Sequence, residues 1–470
     1  MWDLAKFSSN VALQDESGSC ISYSALDLAC SEFYSHIGRR CLVFLLCRNT
    51  IGSVIGYVSS LNNRVVPVLL NADLDVELLN NLISVYKPSY IWLPNDKSSE
   101  ISGFDSVYSK WDYSLLKTSF DIEYPLFDDL CLMLTTSGST GSPKFVRQSY
   151  KNVESNARSI VRYLELTSDE RPITTLPMNY TYGLSIINSH LFVGARILVT
   201  DRGLMQKDFW SFFKSAEATS FGGVPYTYEM LSKLRFERMQ LPSLRYMTQA
   251  GGKLTVDLHR KFAEYAAGNN KKFFVMYGQC EATARMGYLP AEKALEKCGS
   301  MGIAIPGGRF ELVDVEGSLI DKPDTAGELV YYGDNVTLGY AEKGEDLIKC
   351  DERSGVLHTG DIAQFDKDGF YYIVGRMKRF LKIFGNRINL DETERLIKSE
   401  FPSADVACGG VDDKMFIFLT DEQYAEQVRQ FVSLKTGLNS SAFKVVELEV
   451  IPKNDSGKTL YRELEKYYEV

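Results

Sequence analysis

The chain has 470 residues, of which 45% are hydrophobic and 24% charged, and this composition excludes a disordered or fibrous protein. A chain of this length can bury large cores and is expected to form more than one domain. Its formal net charge of −9 at pH 7 argues against a nucleic-acid partner, because such a partner requires a basic face that displaces counterions.

The N-terminal residues 1–6 and the cysteine pattern favour a cytoplasmic protein. The N-terminus has no basic stretch leading into an apolar one, and no apolar run approaches the length of a membrane span, so we expect no membrane partner. The nine cysteines are an odd number at irregular spacing, without a CxxC pair. This pattern favours reduced thiols over a disulfide framework or a zinc site.

Short apolar runs alternate with helix-like segments between residues 40 and 92. Residues 41–46 and 65–70 are predicted strands, and residues 75–86 are a predicted helix. This βαβ-like alternation predicts an α/β fold class. A generic α/β sheet explains the pattern as well as any particular family does.

A run of glycine and hydroxyl residues, 134–144, follows the apolar segment 130–133 and ends at Lys144. Glycines let backbone N–H groups turn toward an anion, hydroxyls add neutral donors, and the lysine adds a positive charge. A flexible Ser/Thr/Gly linker is the alternative, but a linker rarely leads into an amphipathic helix such as the one that Ser149 can cap. The stretch predicts a phosphate-binding loop with these binding residues: Thr136, Ser137, Gly138, Ser139, Thr140, Gly141 and Lys144.

This loop differs from a Walker A motif, because Pro143 stands where that motif requires glycine. Residues 457–459 end as a Walker A motif does, but Pro452 occupies the position of its first glycine. The loop instead resembles the signature of the adenylate-forming superfamily of AMP-dependent synthetases and ligases. That superfamily includes acyl-CoA synthetases, carrier-protein adenylation domains and luciferases.

The family resemblance implies an α/β protein with two domains. The expected larger domain, residues 1–377, has βαβ-type sheets flanked by helices and carries the nucleotide and acyl pockets. The expected smaller domain, residues 378–470, is a mobile α+β unit that carries the catalytic lysine.

Residues 176–184 are similar to the family segment that lines the acyl pocket, and they make Tyr180, Tyr182 and Gly183 candidate pocket residues. A tyrosine-rich turn between a strand and a helix is the alternative. No carboxylate lies between residues 176 and 191. An α-amino acid is therefore a disfavoured substrate, because its buried ammonium group would be unpaired.

Residues 249–254 are similar to the family's glycine turn beside the adenine, which implies nucleotide contacts from Gly251, Gly252 and Lys253. Glycines suit this place because a backbone without side chains can approach a flat ring. Read alone, the segment would be an ordinary hairpin or strand-end turn.

Residues 276–283 resemble the family's Tyr-Gly-x-Thr-Glu element. The resemblance implies that Tyr277 stacks on the adenine and that Glu281 holds Mg²⁺, a hard cation suited to carboxylates. Cys280 stands where the family has threonine or serine, and a thiol is a weaker donor than a hydroxyl. The implied nucleotide-binding residues of this segment are Tyr277, Gly278, Gln279, Cys280 and Glu281.

Residues 357–361 and 366–376 resemble the family's ribose-binding region. The resemblance implies that Asp361 accepts hydrogen bonds from the ribose hydroxyls and that Arg376 adds a donor. A solvated turn aspartate is the alternative. Asp-Gly at residues 368–369, between apolar runs, is also a hairpin signal in its own right.

Three basic positions complete the resemblance. Lys378 falls at the family's hinge, and residues 382–388 resemble the loop that faces the active site during thioester formation. Residues 452–462 resemble the C-terminal lysine motif, and this makes Lys458 the candidate catalytic lysine. Read alone, each would be a solvated basic surface.

These motifs imply a reaction in two halves. A carboxylic acid attacks the α-phosphate of ATP to give acyl-AMP and pyrophosphate, and the thiol of CoA or of a carrier protein's phosphopantetheine then displaces AMP. Transfer to an amine or an oxygen is an alternative, and a nucleotide-binding regulator without catalysis is an alternative of another class. The implied catalytic residues are Lys458, Glu281, Lys144 and Thr136.

Overall fold

The computed structural model describes the chain except residues 102, 122–123, 136–143, 378, 385, 455–457 and 469–470, and except the side chains of residues 380, 386, 387 and 422. The described residues form two compact units. The first comprises residues 1–309 and 331–357, and the second comprises residues 310–330 and 358–470. The predicted boundary of a mobile domain at residue 378 stays a prediction. The division into compact units does not show which part of the chain moves.

The described α-helices are, in chain order, α1 (Tyr23–Ser35), α2 (Ile51–Asn62), α3 (Val76–Tyr86), α4 (Tyr150–Leu164), α5 (Thr181–Phe192), α6 (Lys207–Ser215), α7 (Pro225–Lys233), α8 (Val256–Gly268), α9 (Leu390–Glu400), α10 (Ala425–Thr436) and α11 (Tyr461–Leu464). The first eight belong to the first unit and the last three to the second. None of the helices in the described part of the chain combines the length and hydrophobicity that crossing a membrane requires.

The described strands are, in chain order, β1 (Val11–Asp15), β2 (Cys20–Ser22), β3 (Leu42–Cys47), β4 (Val66–Asn71), β5 (Tyr90–Pro94), β6 (Asp105–Lys110), β7 (Tyr113–Lys117), β8 (Leu130–Thr135), β9 (Phe145–Ser149), β10 (Pro172–Ile173), β11 (Ile197–Val199), β12 (Ser220–Gly223), β13 (Tyr246–Gln249), β14 (Lys272–Tyr277), β15 (Gly287–Tyr288), β16 (Ile303–Ala304), β17 (Gly308–Val313), β18 (Gly327–Gly333), β19 (Gly339–Ala341), β20 (Val356–Phe365), β21 (Tyr371–Arg376), β22 (Phe380–Ile383), β23 (Asn386–Asn389), β24 (Val406–Val411), β25 (Lys414–Leu419) and β26 (Phe443–Glu447).

Two large sheets organise the first unit. One has the order β16-β15-β14-β13-β12-β10-β11-β1-β2, and its central strands β14-β13-β12-β10-β11 are parallel. The other has the order β19-β9-β8-β4-β3-β5-β7-β6, with β8-β4-β3-β5 parallel. Helices run between these parallel strands, so the α/β fold class predicted from the sequence is confirmed.

The main core of the first unit contains side chains from both sheets and from α1, α2 and α5. Helices α2 and α5 are buried along almost their whole length. Neither helix contains Asp, Glu, Lys or Arg, as expected of a helix that a core surrounds on all sides. The strand β3 is also buried at every residue. This is expected because helices cover both faces of a parallel sheet.

Local sequence signals are confirmed at several elements of the first unit. The predicted strands at 41–46 and 65–70 are β3 and β4, and the predicted helix at 75–86 is α3. Ser149 caps α4, because its hydroxyl accepts from the Asn152 backbone N–H at 3.0 Å. The Asn152 side chain in turn accepts from the Ser149 N–H at 2.8 Å and completes a capping box.

The second unit includes most of a four-stranded sheet with the order β17-β18-β20-β21. The antiparallel pair β20 and β21 contains the hairpin predicted from residues 368–369. The rest of the unit has the hairpin β22-β23 and the sheet β24-β25-β26. Residues from α9 and α10 pack with β24 and β25 in one core, so this unit is of α+β type.

Candidate active site

The carboxyl ends of β13 and β14 place two predicted nucleotide-binding turns side by side. These strands are parallel neighbours, with Gln249 of β13 opposite Val275 of β14. Residues 250–254 follow the first strand, and residues 278–283 follow the second. Ligands of open α/β sheets bind at this carboxyl edge, so the two turns lie where a nucleotide site is expected.

The glycine turn after β13 meets the predicted acyl pocket at Tyr180. Gly251 has φ +84°, a left-handed conformation that glycine adopts readily. A Cβ at this position would lie 2.7 Å from the Tyr180 hydroxyl oxygen. Gln249 Nε2 donates to the Gly252 carbonyl at 2.8 Å and fixes the turn, while Lys253 is exposed. The structure thus brings the predicted adenine turn and a predicted pocket residue into contact.

Close backbone packing fixes the turn after Tyr277, which ends β14. A Cβ at Gly278 would overlap the carbonyl oxygen of Ala284, so the position has room only for glycine. Gln279 Nε2 donates to the Tyr277 hydroxyl at 3.3 Å. The Tyr277 ring is partly exposed, as a ring that stacks on a ligand must be.

Glu281 is oriented by a hydrogen bond from a tyrosine far along the chain. The Tyr340 hydroxyl donates to Glu281 Oε1 at 2.8 Å. Arg353 Nη1 holds the same segment by donating to the Glu281 backbone carbonyl at 3.1 Å and to Thr337 Oγ1 at 2.7 Å. Burial, then the nearby Glu281 charge, raises the pKa of Tyr340 to about 12. Tyr340 therefore keeps its proton at neutral pH and donates a hydrogen bond to Glu281.

The Glu281 carboxylate fits a magnesium ion that a nucleotide also binds. It forms no ion pair within the described residues. The described ranges contain no group of three or more His, Cys, Asp or Glu that could hold a metal ion on their own. Mg²⁺ usually binds through one or two carboxylates together with substrate phosphates and water. A single oriented carboxylate is consistent with that mode.

The predicted phosphate loop is framed by the hairpin β8-β9, in which Thr135 lies opposite Phe145. Its residues Thr136, Ser137, Gly138, Ser139, Thr140 and Gly141 lie outside the described residues. Lys144 is described: its Nζ lies 3.9 Å from the centroid of the Tyr340 ring and 3.7 Å from Glu342 Oε1. Tyr340 therefore contacts both the loop lysine and the predicted magnesium carboxylate.

Sequence reasoning missed Tyr340 and Arg353. Tyr340 belongs to β19, a short edge strand that pairs antiparallel with β9, opposite Val146. Nothing in the local sequence distinguishes this tyrosine from an ordinary strand residue. Only the pairing of distant strands places it between Lys144 and Glu281.

Cys280 stands where the family has threonine or serine, and the hydroxyl of another residue lies beside its thiol. Its Sγ lies 2.7 Å from Oγ1 of Thr181, and both side chains are buried. Thr181 begins α5, next to the predicted pocket residue Tyr180. No sequence signal pointed to this pair, because the two residues are 99 positions apart.

The predicted pocket residues lie at the start of α5. The Tyr182 hydroxyl shares a hydrogen bond of 2.7 Å with Thr248 Oγ1, on the neighbouring β13. The rings of Tyr180 and Tyr182 are nearly perpendicular, with centroids 6.3 Å apart, and Gly183 follows in the first turn of the helix. Burial raises the pKa of Tyr182 to about 12, so it stays protonated.

The second unit brings the two predicted ribose residues together. Asp361 and Arg376 are opposite each other in the antiparallel pair β20-β21. Arg376 Nε donates to Asp361 Oδ1 at 3.1 Å, and Thr359 Oγ1 accepts from the Asp361 backbone N–H at 3.1 Å. Asp361 is only 4% exposed, so its carboxylate is held in one position.

Lys458 is paired with Asn454 in the second unit. Its backbone N–H donates to Asn454 Oδ1, and its carbonyl accepts from the Asn454 N–H, both at 2.9 Å. An antiparallel bridge also joins Lys453 and Thr459. The predicted hinge Lys378 lies outside the described residues, and so does one residue of the segment 382–388.

Comparisons with known proteins agree with the motifs. A family model for AMP-binding enzymes matches residues 2–341. The oxalate–CoA ligase of Arabidopsis thaliana is 26% identical, over 95% of this chain and 92% of that one. A 2-succinylbenzoate–CoA ligase of Bacillus cereus is 28% identical, over 93% of this chain and 91% of that one.

The fold is also shared with a solved structure. The o-succinylbenzoate CoA synthetase of Bacillus subtilis, in complex with its acyl-adenylate intermediate, has a TM-score of 0.78 at 21% identity. That likeness covers 97% of this chain and 95% of the other. The family match spans well over half of the chain and confirms the family that the motifs predicted. The chain belongs to the AMP-binding enzyme family.

Proposed function

We propose that this protein activates a carboxylic acid with ATP and then transfers the acyl group to the thiol of CoA. The observation that carries the proposal is the contact of Tyr340 with both Glu281 and Lys144. It joins a candidate magnesium carboxylate to the lysine of the predicted phosphate loop, at the carboxyl edge where nucleotides bind.

In the first half, a carboxylate oxygen of the acid forms a bond to the α-phosphorus of ATP, and the bond from that phosphorus to the bridging oxygen of pyrophosphate breaks. No general base is needed, because a carboxylic acid with a pKa of about 4 is already ionised at neutral pH. The difficulty is the approach of two anions. We assign Lys458, Lys144 and Thr136 to the donors and cations that stabilise the developing charge.

The remaining predicted residues bind and orient the nucleotide. Asp361 and Arg376 hold the ribose, Tyr277 stacks on the adenine, and the glycine turn 251–252 lies along the ring. Mg²⁺ bound to Glu281 and the phosphates would offset their negative charge.

In the second half, a thiolate attacks the acyl carbon and AMP leaves. The names of the two CoA ligases that this chain resembles support CoA as the acceptor. The phosphopantetheine thiol of a carrier protein is the same chemical group and is the second candidate. The proposal places the reaction in the cytoplasm, where ATP and CoA are both supplied.

The test is pyrophosphate release over a panel of carboxylic acids, repeated with CoA and with a holo carrier protein. We expect release that depends on ATP and on one class of acid, and a thioester product by mass spectrometry. A product with an amine or an oxygen acceptor would replace the second half of the proposal. Nucleotide binding without release for any acid would favour the regulator and overturn the enzyme proposal.

A further inference from the structure

Arg285 is a buried cation beside the predicted acyl pocket. It follows Glu281 by four positions and is 2% exposed. Its Nε donates to Ser185 Oγ at 3.1 Å, and its Nη1 donates to the Tyr163 hydroxyl at 2.9 Å. The guanidinium carbon also lies 5.3 Å from the centroid of the Tyr182 ring.

Among the described residues, the guanidinium group contacts only neutral side chains. Besides Ser185, Tyr163 and Tyr182, it contacts Met276 Sδ at 3.3 Å from Nη1. Within the described part of the chain it forms no ion pair, and its Nη2 donates no hydrogen bond. An arginine cannot lose its proton to relieve the cost of burial, so the charge persists in this site.

Other buried arginines of the same chain are paired with carboxylates. Arg147 is fully buried, and its Nη2 lies 2.5 Å from Glu352 Oε2. Arg379 is largely buried, and its Nη2 lies 2.5 Å from Glu394 Oε1. Burial of a charge is costly unless it is paired. Arg285 therefore differs from these two arginines in having no carboxylate partner among the residues that the structure describes.

The surroundings add no compensating charge. The buried His190 has a pKa lowered from 6.5 to about 4 by burial and, to a smaller extent, by the charge of Arg285, so it is neutral at pH 7. Tyr163 and Tyr182 are also protonated there, because burial raises the pKa of each. His190, Tyr163 and Tyr182 therefore carry no negative charge that could pair with Arg285 at neutral pH.

Arg285 packs against the helix that carries the predicted acyl-pocket residues. Tyr182 and Ser185 occupy successive turns of α5, the helix whose N-cap is the predicted pocket residue Tyr180. The backbone of Arg285 is fixed as well, since Asn156 and Asn335 donate to its carbonyl at 2.8 and 3.0 Å. The backbone contacts and the hydrogen bonds of the guanidinium together hold the charge beside Tyr182.

We propose that Arg285 binds a second carboxylate of the substrate and that the acid activated by this protein is a dicarboxylic acid. This inference rests on the proposed acid-activating function. The guanidinium fork matches a carboxylate in geometry, and Nη2 supplies donors for it. The reacting carboxylate of the same molecule would then face the nucleotide.

The test compares diacids with monoacids of equal carbon number in the pyrophosphate-release assay. The pairs are malonate and propanoate, succinate and butanoate, glutarate and pentanoate, adipate and hexanoate, and phthalate and 2-methylbenzoate. For the wild type we expect kcat/KM for the best diacid to exceed that of its monoacid partner by about tenfold or more, because a site built for a charged group rejects an analogue that lacks it.

Arg285→Gln should remove this preference, mainly by raising KM for the diacid, while monoacids are used at least as well as by the wild type. Arg285→Lys should keep part of the preference, because the charge remains. The control is Arg162→Gln, which removes one arginine charge at an exposed position on α4 next to Tyr163. This variant should keep the wild-type preference for diacids.

A wild type that prefers monoacids, or an Arg285→Gln variant that keeps the diacid preference, would overturn the inference and leave the proposed function intact. Failure of the wild type to release pyrophosphate with any acid would overturn the proposed function and the inference with it. If Arg285→Gln does not fold, the inference is still tested by the wild-type ratio of kcat/KM for a diacid to that for its monoacid, and by the same ratio in Arg285→Lys.

Discussion

At the scale of single residues, the candidate site depends on contacts that orient a charge or a hydroxyl. Tyr340 orients the Glu281 carboxylate and also lies under the Lys144 ammonium. Thr181 places a hydroxyl 2.7 Å from Cys280, where the family has a hydroxyl residue. The departure at Cys280 therefore leaves a hydroxyl group beside the same position.

Lys458 is expected to act on the transition state of the first half only. If its ammonium bridges the acyl carboxylate and the α-phosphate, Lys458→Ala should lower kcat for adenylation by about 10²–10³. KM for ATP should change little, because the other nucleotide contacts remain. Pyrophosphate release measures this half, and thioester formation from preformed acyl-AMP measures the second.

The second half should proceed at nearly the wild-type rate in Lys458→Ala. The exposed Lys466 provides the control, and Lys466→Ala should leave both halves unchanged. An equal loss in both halves of the Lys458 variant would contradict the assignment of this lysine to adenylation.

Buried histidines should make the protein less stable in acid. The pKa of His190 is about 4 in the folded state, lowered from 6.5 mainly by burial, and that of His259 is also about 4. The folded state then binds fewer protons than the unfolded state between these values. The free energy of unfolding therefore has its full value above pH 6.5 and decreases as the pH falls toward 4. The decrease is up to about 3 kcal/mol for each histidine.

Urea unfolding between pH 7 and 5 measures this slope. His190→Gln should lower the slope, and His36→Gln, at an exposed position, should leave it unchanged. Equal slopes in the wild type and in His190→Gln would show that His190 does not titrate with unfolding.

At the scale of elements, the parallel strands β13 and β14 place two predicted nucleotide-binding turns at the carboxyl edge of one sheet. The turn after β13 carries Gly251, which packs against the Tyr180 side chain, and the turn after β14 carries Gly278, which packs against the Ala284 backbone. The edge strand β19 adds Tyr340 through its pairing with β9. The positions of these turns therefore depend on strand register more than on the loops themselves.

Gly278→Ala should distort the turn that carries Glu281. The new Cβ would overlap the Ala284 carbonyl oxygen, so one backbone segment must move. We expect kcat/KM for adenylation to fall by more than about tenfold, because misplacement of a catalytic group by an ångström can cost about a hundredfold.

The matched control is Gly268→Ala, at the end of α8, where a Cβ meets nothing within 4 Å. That change should leave activity intact and raise stability slightly, by about 0.4–1 kcal/mol, because it restricts the unfolded chain. Thermal unfolding and pyrophosphate release compare the two variants. Full activity in Gly278→Ala would contradict the proposed rigidity of the turn.

At the scale of the whole molecule, the predicted site residues are divided between two compact units. Lys144, Tyr277 and Glu281 belong to the first, and Asp361 and Lys458 belong to the second. The proposed reaction needs residues of both units. The family resemblance implies that the smaller domain rotates about Lys378 between the two halves of the reaction.

Lys378→Pro should separate these halves. Proline fixes φ near −65° and would hinder a rotation about this residue, so acyl-AMP should still form while thioester formation falls. Lys378→Ala removes the same side chain without fixing the backbone and should support both halves. A parallel fall of both halves in the proline variant alone, with folding intact, would place the hinge elsewhere.

The sequence by itself determined the features that depend on neighbouring residues. The helix cap at Ser149, the apolar strand β3 and the hairpin at residues 368–369 each follow from a few consecutive side chains. The family was also readable, because its motifs are short segments whose chemistry requires particular residues in order.

The tertiary structure decided which distant residues complete those motifs. Tyr340 reaches Glu281 across 59 positions, and Thr181 reaches Cys280 across 99. Arg285 looks like any charged residue in the sequence, and only its burial among neutral side chains makes it a candidate for binding substrate. Such contacts follow from sheet register and helix packing, which depend on the whole core and not on the local sequence.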